Sequence, residues 1–391
     1  YDGAPSEPSA FAVAPPPSAA AVASVARRNC APLTASVLPA DTLPSATLVT
    51  RTGTRHGDSE LSTVDTALLL AGVLYAAEWF DAAEAGESEI RRLAAELYAR
   101  VDWPWACVRG AAVAHGWKPE VGFLTHDWQG YNEAMLVYLL ALGAPRHALD
   151  ASAWDAWTAT YAHSWGRLYG QEHLTFGPMF GHQYPAVWVD YRGIRDAYMR
   201  AHGLDYFENS RRAVLAQRAY AIRNPLGWRD YSADVWGLTA CDGPVDALLE
   251  YRGERRMFRT YAARGVNLDP DHDYDDGTIA PTAALASLPF APQLVTAAAR
   301  ALYARYGEVI YGRYGFLDAF NRSFDHDLAL YHGRRVPGFG WVDTVYIGID
   351  QGPILAMIAN HRSDAVWRTM RRSAHLRRGL ESAGFSGGWL R

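Results

Sequence analysis

The sequence holds 391 residues, 49% of them hydrophobic and 20% charged, the balance of a globular chain able to bury a substantial core. A net charge of −5 argues against a basic nucleic-acid-binding surface. Three cysteines, Cys30, Cys107 and Cys241, are too few and too scattered for a disulfide framework or a zinc site.

In chain order, residues 1–45 are rich in Ala, Pro and Ser and read as a disordered tail or linker, because they cannot bury enough apolar surface to offset the entropy of ordering. Such a tail, on a chain that begins at Tyr1 rather than methionine, leads us to expect an exported, periplasmic protein whose signal has been removed. From about residue 60 the apolar spacing becomes helical. Ser62 and Asp65 look like an N-cap and an acidic first turn, opening an apolar stretch to Phe80. No apolar run reaches the roughly 18 residues of a membrane span. Further helices are expected over 88–100, 131–142, 151–169, 191–202, 206–223, 245–264, 292–306, 352–361 and 363–375, with strands only at 187–189 and 344–349. Paired helices without a constant repeat length suggest two concentric rings, an all-α toroid formed by residues 46–391 as one catalytic domain. The connections 103–130, 170–190, 225–245 and 265–290 carry much of the Trp, His, Asp and Gly, and long connections of this kind are normally functional.

Five constellations in and near these connections carry chemistry. Asp127-Trp128-Gln129-Gly130-Tyr131-Asn132-Glu133 ends a loop and starts a helix, so Glu133 either complements the helix dipole or works in a site. Gly181-His182-Gln183 presents two side chains able to hydrogen-bond sugar hydroxyls, or else a structurally held histidine. Glu208-Asn209 opens another helix, with Arg211 and Arg212 as alternative ion-pair partners for the acid. Trp236 lies between Asp234 and Asp242 in a fourth stretch, and Tyr346, Asp350 and Gln351 form the fifth; Asp242 and Asp350 could equally be helix caps. Asp269, Asp271, Asp273 and Asp275 alternate like a calcium loop, but Tyr274 occupies the glycine position and Ala280 that of the bidentate glutamate.

No dinucleotide fingerprint, phosphate loop or zinc-hydrolase signature is present. A site of carboxylates, amides, histidine and aromatics without cofactor remains. With 14 Trp and 22 Tyr available to stack on sugar faces, glycoside hydrolysis is the leading chemistry. One carboxylic acid would protonate the leaving oxygen and a second carboxylate would activate water or attack directly. A transglycosylase using the same cleft, a non-catalytic glucan-binding protein and a polysaccharide lyase are the rival readings.

Eight ordered strings carry a more specific signal. They are Glu60-Leu61-Ser62-Thr63-Val64-Asp65-Thr66-Ala67, Gly130-Tyr131-Asn132-Glu133-Ala134-Met135, Gly181-His182-Gln183-Tyr184, Tyr206-Phe207-Glu208-Asn209-Ser210-Arg211, Trp236 to Gly243, Asp275 to Thr282, Gly315 to Asn321 and Gly348 to Pro353. Together they make residues 60–391 resemble the bacterial glucoamylase-like domain family, in particular the β-1,2-glucan hydrolases of glycoside hydrolase family 144. The resemblance implies an (α/α)6 barrel that hydrolyses β-1,2-glucan or sophoro-oligosaccharides with inversion and without a metal. It implies Glu208 as general acid, Glu133 and Asp127 at the cleavage site, and Asp350 as a further catalytic acid. Trp128, Tyr131, His182, Gln183, Asn209, Trp236, Asp242, Tyr346 and Gln351 would then bind glucose units. No nucleic acid and no membrane span is expected.

Overall fold

The computed structural model describes Arg55 and residues 57–391, so the tail expected at 1–45 and Cys30 lie outside it. The described part is mainly helical, with short antiparallel strands. Helix α1 (Thr63–Trp79) starts as its sequence dictates: Ser62 is extended, and its side chain accepts from the Asp65 amide. Ala67, Leu70, Ala71 and Leu74 form its buried stripe, spaced by three and four residues. Helix α2 (Ala85–Ala99) packs along it. Helix α3 (Met135–Leu142) is buried on every side, as a uniformly apolar sequence requires.

The remaining helices are α4 (Ser152–Thr158), α5 (Tyr161–Ser164), α6 (Phe180–Trp188), α7 (Ala197–His202), α8 (Tyr206–Arg223), α9 (Pro281–Leu285), α10 (Pro292–Ile310), α11 (Gly348–Ser363), α12 (Ala365–Met370) and α13 (Ala374–Ser382). Helices α1, α3, α6 and α11 pack in sequence, and α12 closes the circuit by touching α11, α6 and α1. Helix α13 backs α3 so closely that a Cβ on Gly379 would lie 1.9 Å from the Leu139 carbonyl oxygen, and one on Gly143 would lie 2.2 Å from that of His375. Only glycine permits this backbone-to-backbone approach.

Two expected helices are replaced by hairpins. Residues 245–264 form strands Ala247–Tyr251 and Glu254–Phe258, joined by Arg252 (φ 53°) and Gly253 (φ 81°). The expected helix over 151–169 ends early, and Trp165–Leu168 pairs with Gln171–Leu174 through Tyr169 (φ 45°) and Gly170 (φ 84°). In both cases an X-Gly pair with two positive φ angles makes a turn whose twist suits a two-residue hairpin, and this local chemistry overrides the helical spacing. The expected helix over 191–202 is confined to α7, because Gly193 at φ 75° cannot continue a helix. Residues 187–189 end α6, and 344–349 are loop and the start of α11; neither is a strand.

A four-stranded sheet orders Thr278–Ile279, Phe320–Asn321, Gly340–Val342 and Arg334–Val336, all antiparallel. Its register places Phe320 opposite Val342. The residues just outside that pair, Asp318 and Asp343, are thereby brought to one place, and the Asp343 amide donates to the Ala319 carbonyl at 2.9 Å. Strand Ala240–Asp242 pairs with Tyr261–Ala263, and its last amide, that of Asp242, donates to Asp318 Oδ2 at 3.0 Å.

Candidate active site

The acids that gather in the structure are Glu133, Asp350, Asp318, Asp242 and Asp343, around Tyr184 and Tyr261. Both tyrosines lie in the electrostatic field of Glu133 and of Asp350. Glu133 sits in the turn just before α3, and the residue is half-buried. Its Oε2, however, is sealed from solvent and has no hydrogen-bond partner. Burial of this carboxyl raises its pKa to about 7, with the charge of Asp65 adding in the same direction. Asp65 is in the first turn of α1, so two helix N-termini bring these acids together.

Asp350 lies in the first turn of α11 and is 4% exposed. Burial raises both Asp350 and Asp318, and the two carboxyls are close enough to share one proton. The Tyr184 hydroxyl also lies in the field of the Asp350 carboxyl. Burial likewise pushes Asp343 up to about 6, while the Thr344 amide holds its Oδ1 at 2.6 Å. Tyr184 is buried on this floor, whereas Tyr261 is 62% exposed at the mouth. His332 Nδ1 stands 3.8 Å from Asp242 Oδ2, and the exposed Tyr331 is anchored beside it by a hydrogen bond from its amide to the Pro244 carbonyl.

The residues singled out from sequence divide into two groups. Glu133, Asp350 and Asp242 come together. Glu208 does not join them: it is on the first turn of α8 and pairs with Arg212 at 3.1 Å and Arg211 at 3.4 Å, its side chain 36% exposed. Glu208 thus stands apart from the gathered acids, in an open ion pair with two arginines. Accordingly, Glu208→Gln is expected to leave turnover near that of the unsubstituted chain and stability within about 1 kcal/mol, measured by initial rates and urea unfolding. Asp127 is gripped by Arg109, whose Nε donates to Oδ2 at 3.0 Å.

Several expected sugar-binding residues are inside the protein. Asn209 is fully buried and clamps the Leu174 backbone, accepting from its amide at 2.8 Å and donating to its carbonyl at 3.0 Å. His182 donates from Nε2 to the Phe176 carbonyl and accepts the Tyr131 hydroxyl at Nδ1; burial drives its pKa down to about 3. Gln183 donates to the Ala283 carbonyl and the Ser287 hydroxyl, and Trp236 is 1% exposed. All five side chains, Tyr131 included, are buried. Trp128 stacks on His115 with 3.8 Å between ring centroids and donates to the Thr63 hydroxyl. Gln351 donates to the Phe316 carbonyl, and Tyr346 meets Tyr314 edge to face.

Asp318 and Asp343 were not among the candidate site residues. Asp318 stands within one of the recognised strings and Asp343 just before the fifth constellation, but only sheet register makes them neighbours. The alternating acids at 269–275 have other partners: Asp275 accepts the Tyr220 and Tyr231 hydroxyls and Asp273 accepts the Asn267 amide.

A family model described as "Putative glucoamylase" matches residues 125–374, more than half of the chain. The chain belongs to the glycoamylase family. It is 28% identical over 344 residues to an exo β-1,2-glucooligosaccharide sophorohydrolase (non-reducing end) of Parabacteroides distasonis. That match covers 81% of this chain and 42% of the relative, so the chain spans less than half of that protein's length. A "putative glucoamylase" crystal structure from Bacteroides caccae superposes with a TM-score of 0.70 at 30% identity, covering 84% of this chain and 72% of that one. An endo-β-1,2-glucanase from Chitinophaga pinensis, in complex with sophorotriose and glucose, gives a TM-score of 0.70 at 26% identity, covering 84% and 72%.

Proposed function

We propose that the chain hydrolyses β-1,2-linked glucan or its oligosaccharides, with residues 46–391 forming one (α/α)6-barrel catalytic domain of an exported protein. The observation that carries the chemistry is the Glu133 carboxyl, its Oε2 sealed without a partner and its pKa raised to about 7, beside the same two tyrosines as Asp350 of the proton-sharing Asp318–Asp350 pair. Two carboxyl sites with different proton affinities in one cleft are what glycosidic cleavage requires. The substrate class comes from the sophorohydrolase and endo-β-1,2-glucanase relatives.

In this reading protonated Glu133 gives its proton to the glycosidic oxygen as the C–O bond breaks. A water oxygen bonds to the anomeric carbon, and its proton passes to the ionised member of the Asp318–Asp350 pair. Two shorter saccharides leave, one with a new reducing end; the pair then releases the proton it took from water to solvent, and Glu133 regains its own. Tyr261 at the mouth offers a ring on which a glucose face can stack.

The test is incubation with linear β-1,2-glucan, with β-1,3- and β-1,4-glucans as controls, followed by product chromatography and early NMR. Short products are expected from the β-1,2 chain alone, with the α-anomer appearing first if configuration is inverted. Disaccharide as sole product means exo action and a ladder means endo action. Sugar-dependent thermal stabilisation without any product would overturn hydrolysis in favour of binding alone.

A further inference from the structure

Around Asp318, itself a member of the proton-sharing pair, the structure gathers two further acids that hydrolysis does not use. We propose that Asp242, Asp318 and Asp343 hold a divalent cation of the calcium type, which ties three chain segments together at the floor of the cleft. One carboxylate oxygen from each lies within 4.8 Å of the other two. Oxygens bound to one calcium ion at about 2.4 Å can be at most about 4.8 Å apart, so this triangle can close on a single ion.

The unmet bonding of the two inner acids points the same way. Asp318 is 2% exposed and Asp343 fully buried. Asp318 Oδ2 accepts the Asp242 amide and Asp343 Oδ1 the Thr344 amide, while Asp318 Oδ1 and Asp343 Oδ2 are buried with no donor. Leaving such oxygens unpaired is costly, and a cation removes the cost for both at once. Among the described residues no arginine or lysine pairs with any of the three acids; the nearest basic group is the His332 ring, 3.8 Å from Asp242. The donors are all oxygen, which selects a hard cation such as calcium over zinc or copper.

Geometry gives the ion a structural task. Asp242 ends one strand pair, Asp318 precedes strand Phe320–Asn321, and Asp343 follows strand Gly340–Val342. A shared ion would fix these three ends relative to one another and offset the negative charge beside Asp350.

The experiment needs no substrate, so its outcome is independent of the glucanase reading. The protein is freed of metal with a chelator and titrated with terbium while Trp and Tyr are excited; Trp341 and Tyr261 adjoin the site in sequence and pairing. Saturable terbium emission displaced by calcium is expected, together with a calcium-dependent rise of several degrees in Tm. Asp343→Asn should abolish both. If that buried substitution prevents folding, the more accessible Asp242→Asn should still fold and weaken calcium binding by about tenfold or more. Absence of both emission and Tm shift in the unsubstituted protein would overturn the proposal, as would responses that persist unchanged in folded Asp242→Asn.

Discussion

Replacing Glu133 by glutamine is expected to lower turnover of β-1,2-glucan by about 10³-fold while the chain stays folded and retains affinity for the oligosaccharide. The amide has the size of the acid but no proton to give, and Glu133 is the carboxyl whose pKa burial brings nearest neutrality without an ion-pair partner. The pH profile supplies a second reading. If Glu133 acts protonated, kcat/KM falls as pH rises through about 7. Stability moves with the same group. Its folded pKa of about 7 lies above the ordinary glutamate value of roughly 4.3, so between these limits the folded protein retains a proton that the unfolded chain has released. Folding stability therefore declines from about pH 4 to about pH 7 on this account, and Glu133→Gln, which cannot ionise, escapes that decline. Urea unfolding at pH 5 and pH 8 should show the variant gaining on the parent at the higher pH. A variant with near-normal turnover would remove Glu133 from the acid role.

The largest loss of stability is expected from Arg264→Met. Arg264 and Asp276 are both fully buried and bonded in parallel, Nε to Oδ1 at 2.7 Å and Nη2 to Oδ2 at 2.8 Å. Arg264 Nη1 also donates to the Cys241 carbonyl at 2.7 Å, directly before Asp242. Methionine fills similar space but strands the Asp276 carboxylate in the interior, a change that costs about 3–5 kcal/mol in comparable buried pairs. Equilibrium urea unfolding at pH 7 measures it. The double variant with Asp276→Leu should recover part of the loss, because no unpaired charge then remains. Although burial opposes it, the Arg264 charge and its hydrogen bonds hold Asp276 below the usual aspartate pKa. The stabilisation from this pair is thus present above about pH 4 and is lost as pH falls through the depressed folded value. A loss that did not depend on acidification would assign the effect to packing instead.

How far the sequence could be read varied with the range of the forces involved. Helix α1 was legible from Ser62, Asp65 and the apolar spacing, and α8 from a pattern running over 206–223, because capping and periodicity act within a few residues. The two hairpins were misread although Tyr169-Gly170 and Arg252-Gly253 were visible, since the positive φ of the residue before glycine is not signalled by tyrosine or arginine. Among the acids, position in sequence did not distinguish Glu133 from Glu208. Both stand near the start of a helix with polar neighbours, yet one is sealed without a partner and the other is open and paired with two arginines.

By itself, the sequence determined the mainly helical character, the family, and the set of Asp, Glu and Tyr side chains from which a site could be drawn. Tertiary structure alone decided which of them form it. Desolvation and neighbouring charge depend on atoms contributed by distant segments, as when α1 and α3 bring the Asp65 charge toward the buried Glu133 carboxyl. The meeting of Asp318 with Asp343 depends on the strand register that sets Phe320 against Val342. Neither burial nor register is a property of any short stretch of chain, and both enter the electrostatic energy of every acid in the cleft.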